Sequence, residues 1–310
     1  MFVINPDAYS LPAYRIGPFT TRDLRLNHLL DNKTDIKESI INDYFQNRFG
    51  SDYSITINGR EAISLALDSY NLKKDDLITI LTTSQNFYIS SCVTKEIEKF
   101  CQWNREIVAE TKLIFVNHEF GYIYPDMDYL VSKGLPIIED CCTIFFSENL
   151  NKKVGKYGDF AVYSFPKFFP IQIGGLLVNN TKRPLQSSSL VNLKTKHYIQ
   201  KVLSHYNGQL DDLLQKRKEL FDYGIKRFSR LGFTEQFERD KHTVPSAMML
   251  NNNGIIKDLT AFKTNLWDNG IQSSIFYGED AFFIPSHQNL TKTDVNYFFE
   301  VIKSFIKSQL

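Results

Sequence analysis

The chain has almost no net charge, no run of basic residues and no long apolar stretch. Its 36 Lys and Arg balance 35 Asp and Glu to leave +1, so nothing in the charge pattern favours nucleic acid or an acidic membrane surface. The first residues, Met1-Phe2-Val3-Ile4-Asn5-Pro6, show no charged segment followed by an apolar core. No segment approaches the length that spans a bilayer, which gives the expectation of a soluble cytoplasmic protein. Cysteine is scarce as well. Cys92, Cys101, Cys141 and Cys142 lack metal-ligand spacing and read as reduced packing residues, with no metal expected. Low-complexity tracts are missing too. With 43% apolar and 23% charged residues over 310 positions, the chain can bury a sizeable core, in one large domain or in a large and a small one.

Against those absences stands a regular alternation of apolar runs and helical stretches. Residues 1–34 carry Tyr9-Ser10-Leu11-Pro12 and Ile16-Gly17-Pro18 without a period and read as an extended N-terminal arm. Ile36, Ile40, Tyr44 and Phe45 predict an amphipathic helix that Gly50 stops. Apolar runs at Tyr53–Ile57, Leu77–Thr82, Leu113–Val116, Leu135–Glu139, Phe160–Phe165 and Gly174–Val178 read as strands separated by helical segments. That order predicts an α/β fold, a mostly parallel sheet flanked by helices, over a large domain of residues 35–190. Residues 191–310 change character. A charged helical run at 209–230, short strands over 242–285 and a terminal helix with Val295, Phe298, Phe299 and Ile302 on one face predict a smaller α+β domain.

Three strand ends carry chemistry. Tyr53–Ile57 runs into Asn58-Gly59-Arg60-Glu61 and a helix start, a turn whose free backbone N–H groups can hold a phosphate, although an ordinary capped helix reads the same way. The run ending at Ile138-Glu139-Asp140 delivers a carboxylate, and the run ending at Ser164-Phe165-Pro166-Lys167 delivers an amine. A carboxylate that keeps a pyridine nitrogen protonated, together with an amine that condenses with an aldehyde, is the requirement of pyridoxal 5'-phosphate (PLP) chemistry. After Leu77–Thr82 come Phe87 and Tyr88, either of which could stack on a flat ring. His118, after the next strand, is either a polar site group or a structural histidine.

In order and spacing, several motifs resemble the DegT/DnrJ/EryC1/StrS family of PLP-dependent sugar aminotransferases, of the aspartate aminotransferase fold (fold type I). They are Asn58-Gly59-Arg60-Glu61-Ala62, His118-Glu119-Phe120-Gly121, Pro125-Asp126-Met127, Ile138-Glu139-Asp140, Val154-Gly155-Lys156-Tyr157-Gly158-Asp159, Tyr163-Ser164-Phe165, Gly174-Gly175 and Ile284-Pro285-Ser286-His287-Gln288-Asn289-Leu290-Thr291. The resemblance assigns Asp140 to the pyridine nitrogen, Phe87 to the ring face, Gly59, Arg60 and Ser164 to the phosphate, and Lys167 to the Schiff base. The family sets its lysine five residues after the serine, where this chain has Phe169; Lys167 follows Ser164 by three. Thr143 stands where the family has Gln or His, so Thr143 and His118 are expected to touch substrate or support the site. By resemblance the reaction is amino transfer, with glutamate as donor, to a nucleotide-linked keto sugar for glycan precursors, in a homodimer. Two alternatives remain open: sugar dehydration, which uses a histidine in place of the lysine and finds none between residues 160 and 175, and a catalytically silent homologue serving as a binding or assembly subunit.

Overall fold

A computed structural model describes residues 12–50 and 52–309. In chain order the elements are α1 (Thr21–Asn32), α2 (Ser39–Phe49), β1 (Tyr53–Thr56), α3 (Gly59–Asp68), β2 (Leu77–Thr82), α4 (Ser91–Ile97), β3 (Gln102–Asn104), β4 (Thr111–Asn117), α5 (Met127–Ser132), β5 (Ile137–Asp140), β6 (Phe160–Ser164) and β7 (Gly175–Asn179). They are followed by α6 (Leu193–Asn207), α7 (Leu210–Phe228), β8 (Thr234–Glu235), β9 (Met248–Asn251), α8 (Leu259–Asp268), β10 (Ser274–Ile275), β11 (Ala281–Ile284) and α9 (Lys292–Ser308). The larger sheet has the order β1-β7-β6-β5-β4-β2-β3. Strands β6, β5, β4, β2 and β3 pair parallel, and β7 runs antiparallel between β6 and β1.

Side chains leave a strand on alternate faces, so each strand of this sheet feeds two cores. In β6, Phe160 and Val162 join Ile138, Leu177 and Ala62 in one core, while Ala161 and Tyr163 join Leu176, Phe45 and Ile199 in the other. The same alternation, carried one step further along β5 and β6, turns Asp140 and Ser164 toward the face that α3 covers. A third core gathers α7, α8 and α9 on the antiparallel sheet β10-β11-β9-β8, with Phe221, Phe262, Phe282 and Phe298 fully buried.

The expected arm gives way to a helix from Thr21. A capping box between Thr20 and Asp23 starts α1, and only Asn27 and Leu30 are buried along it. Leu24, Leu26 and Leu29 stay exposed, which explains why no apolar period announces the helix. Met1 to Leu11, with the Tyr9-Ser10-Leu11 stretch read as extended, lie outside the described residues. Two more elements escape the sequence reading. β3 is a three-residue edge strand, too short for a pattern. α6 lays Ile199, Val202, Leu203 and Tyr206 into the core that holds Phe45 and Phe165, and so packs with the larger sheet rather than with the second one.

Candidate active site

Loops at the carboxyl ends of β1, β2, β4, β5 and β6 meet in one cleft of about 510 Å³, where open parallel sheets commonly hold ligands. Gly59, Arg60, His118, Asp140, Thr143, Ser164 and Lys167 all line it. Phe87 does not. Asn86 donates to the Tyr277 carbonyl (2.6 Å) and accepts from the Tyr88 amide (3.2 Å), and the turn so fixed leaves Phe87 77% exposed while Tyr88 lines the cleft.

The anion cradle follows from local chemistry. Asn58 caps α3: its Oδ1 accepts from the Glu61 amide (3.0 Å) and its carbonyl takes the Ala62 amide (3.3 Å). The amides of Gly59 and Arg60, first in the helix, have no carbonyl of their own turn to meet and carry the positive end of the helix dipole. Gly59 must be glycine here, because a Cβ would stand 2.7 Å from Cys142 Sγ and 3.5 Å from Ser164 Cβ. The turn reaches this place by crossing over Gly175, where a Cβ would meet the Asn58 carbonyl carbon at 2.8 Å. Ser164, opposite Gly175 in the β6–β7 ladder, lines the cleft beside this turn.

Asp140 is 5% exposed. Its Oδ1 accepts from the Cys142 amide (3.0 Å). Burial pushes its carboxyl above the ordinary aspartate range, against the opposing pull of the Cys142 bond, His118 and Lys167. A positively charged partner held in the cleft would reverse that shift. Lys167, last in a 3-10 turn (Phe165–Lys167), turns its side chain into the cleft. Phe169 goes the other way, 2% exposed, into an aromatic cluster with Phe145, Phe146 and Phe165.

His118 serves the scaffold around Asp140. Its Nδ1 accepts from the Tyr124 amide (3.0 Å), its own amide donates to the Asp140 carbonyl (3.2 Å), and its carbonyl takes the Thr143 hydroxyl (2.8 Å). The Nε2 lies 3.5 Å from Glu139 Oε2. With Nδ1 accepting, the ring is the tautomer protonated at Nε2. His118, Glu139 and Cys141 bring their ligand atoms within 4.8 Å of one another, but the Glu139 oxygens already accept from the amides of Gly155, Tyr157 and Gly158.

Two cleft groups were not evident as site residues in the sequence. Glu119 is 7% exposed and accepts from the Ser84 amide (2.7 Å); burial raises its carboxyl, opposed by the Ser84 bonds and Arg105. Cys142 sits between Gly59 and Asp140, its thiol pushed well up by burial and by Asp140.

The sequence profile of the DegT/DnrJ/EryC1/StrS aminotransferase family matches residues 101–199, the span that holds Asp140, Ser164 and Lys167. That match covers about a third of the chain and makes this span similar to the family. The chain is 29% identical over 165 residues to GDP-perosamine synthase of Escherichia coli O157:H7, covering 44% of this chain and 44% of that one, less than half the relative's length. It is 24% identical over 304 residues to dTDP-3-amino-3,6-dideoxy-alpha-D-galactopyranose transaminase of Aneurinibacillus thermoaerophilus, covering 85% of this chain and 81% of that one. The crystal structure of an aminotransferase TlmJ from Streptoalloteichus hindustanus superposes with a TM-score of 0.74 at 14% identity, over 96% of this chain and 99% of that one. The fold is therefore that of the fold type I PLP aminotransferases.

The residues fit PLP. Two helix-start amides and a serine around a glycine that leaves room for nothing else suit a phosphate. A buried carboxylate facing the cleft suits a pyridinium nitrogen, and a lysine enters from the adjacent strand end.

Proposed function

We propose that this chain is a PLP-dependent aminotransferase that moves an amino group from glutamate to a nucleotide-linked keto sugar, as a homodimer in the cytoplasm. The observation that carries the reading is that Gly59, Asp140, and Ser164 with Lys167, from three separate segments, face one cleft. PLP, when bound, supplies an aldehyde and a ring that draws electrons from the reacting carbon.

The chain's own residues do the rest. The Gly59 and Arg60 amides and the Ser164 hydroxyl would hold the phosphate. Asp140 keeps the ring nitrogen protonated; its carboxylate, costly while unpaired, gains the partner that burial makes valuable. Lys167 would present its amine toward a cofactor aldehyde, and its free Nζ would serve as the base that carries a proton at the reacting carbon. His118 and Thr143 hold the Asp140 segment in place. The relatives named above are sugar-nucleotide enzymes by their names, which supports a nucleotide-linked keto sugar as acceptor.

The test is direct. Purified protein titrated with PLP should gain a visible absorbance band that Lys167→Ala abolishes and that glutamate bleaches. A chain that binds PLP without the lysine-dependent band, and bleaches with no amine, would be the binding or assembly subunit instead.

A further inference from the structure

The Lys167 turn is held from behind by a buried cation. Arg217, on α7, is 1% exposed, and among the described residues no carboxylate pairs with it. Its donors go instead to neutral acceptors: Nε and Nη2 to Gln288 Oε1 (3.2 and 2.9 Å), Nη1 to the carbonyls of Pro245 (3.2 Å) and Ser286 (3.5 Å), and Nη2 to the carbonyl of Lys167 itself (3.4 Å). Gln288 passes the link on, donating from Nε2 to the next carbonyl, that of Phe168 (2.7 Å). The guanidinium also lies over the Phe168 ring, 4.9 Å from its centre.

An ionised side chain taken from water without a counter-ion is expensive, so its place calls for a return. Burial alone drives the guanidinium down to about 9. A carboxylate at position 288 would relieve that cost. It would also lose the amide that holds Phe168. Glutamine offers one acceptor to the cation and one donor to the turn, so two successive carbonyls, at 167 and 168, are fixed from α7 and the segment after β11 rather than from the large sheet.

We propose that Arg217 and Gln288 are positioning residues that set the backbone of the Lys167 turn and so aim its amine at the aldehyde of a phosphate-anchored cofactor. The inference rests on the assignment of Lys167 in the proposed function. It separates two properties that a purely structural role would change together: affinity for the phosphate and ring, which Gly59, Ser164 and Asp140 provide, and the additional affinity that only Lys167 provides.

The experiment compares pyridoxamine 5'-phosphate, which has no aldehyde, with PLP in wild type, Arg217→Met, Gln288→Leu and Gln288→Glu, and follows amide hydrogen exchange over residues 165–170 in cofactor-free protein. In each variant pyridoxamine phosphate affinity should stay within about twofold while PLP affinity falls about tenfold or more, since small displacements of a reacting group are costly. Exchange at 168 and 169 should quicken. Gln288→Glu is the decisive variant, because it supplies the missing counter-ion and should keep or raise the melting temperature while still losing PLP preference. Equal losses for both ligands, or unchanged exchange in folded Gln288→Glu, would overturn the proposal. A wild type that prefers PLP no more than Lys167→Ala does would instead remove the assignment of Lys167, and the positioning role with it.

Discussion

Glu139 and Asp140 are consecutive residues of β5, both buried, and they point to opposite faces of the same sheet. Glu139 closes the Gly155–Gly158 loop beneath the sheet, and Asp140 faces the cleft above it. One carboxylate accepts from three backbone amides of a loop, and the other accepts from the Cys142 amide and faces the cleft. Their substitutions should therefore behave in contrasting ways.

Glu139→Gln should destabilise the protein. Both carboxylate oxygens accept from backbone amides, so whichever end of the glutamine carries the NH2 group meets an N–H donor head-on. The loss should be roughly 2–4 kcal/mol, from charged hydrogen bonds given up and a donor left unpaired. Denaturant melts of the cofactor-free protein measure it, and a change below half a unit would contradict the role given to Glu139.

Asp140→Asn should do the reverse in the cofactor-free protein. Because the folded pKa lies above the unfolded one, the ionised form costs stability above the raised pKa, and that cost fades as pH falls and the folded state takes up its proton first. The variant should melt higher than wild type at neutral pH, by a margin that shrinks in acid. Its PLP affinity should fall. A variant less stable at pH 7 than at pH 4, relative to wild type, would mean that Asp140 is already paired.

Gly59→Ala tests the cradle. The added methyl would crowd Cys142 Sγ, and pyridoxamine phosphate affinity should drop about tenfold or more, the order of a lost charge-assisted bond. Adding Cys142→Ala should relieve the crowding and recover stability without recovering affinity. Full recovery of binding in the double variant would show that the methyl does not occupy the phosphate position.

His287 predicts a pH dependence. It is buried against Arg217, with Nε2 on the Arg15 carbonyl (3.1 Å), and burial followed by Arg217 pushes it down to about 3. The unfolded chain takes up its proton near pH 6.5 and the folded chain does not until about 3, so stability should fall by about 1.4 kcal/mol per pH unit across that window on account of this group. In His287→Gln this contribution vanishes. The stability gap between wild type and variant, measured from pH 7 to pH 4, should narrow steadily; a constant gap would refute the buried neutral histidine.

Much of this was legible in the residues. β2 spans Leu77–Thr82 as the apolar run predicts, and the alternation of β5 and β6 foretells which residues share a face. Helix α1 was not legible, since a capping box rather than an apolar face starts it. Phe87 and Tyr88 are indistinguishable in sequence; the choice between them is made by Asn86, through bonds to Tyr277 nearly two hundred positions away. Arg217 reads as one more charge on an amphipathic helix. Only the meeting of α7 with the segments around Pro245 and Gln288 turns it into a buried cation.

The β6–β7 ladder has a consequence for how sites of this kind vary. Ser164 and Gly175 are cross-strand partners, so they form the closed base of a hairpin whose tip holds the lysine. Residues can be gained or lost at that tip without moving either base residue, as in any loop between two paired strands. Counting from the serine is thus a poor ruler for the amine: what the ladder fixes in space is the doorway, and a chain can bring a lysine through it at more than one step.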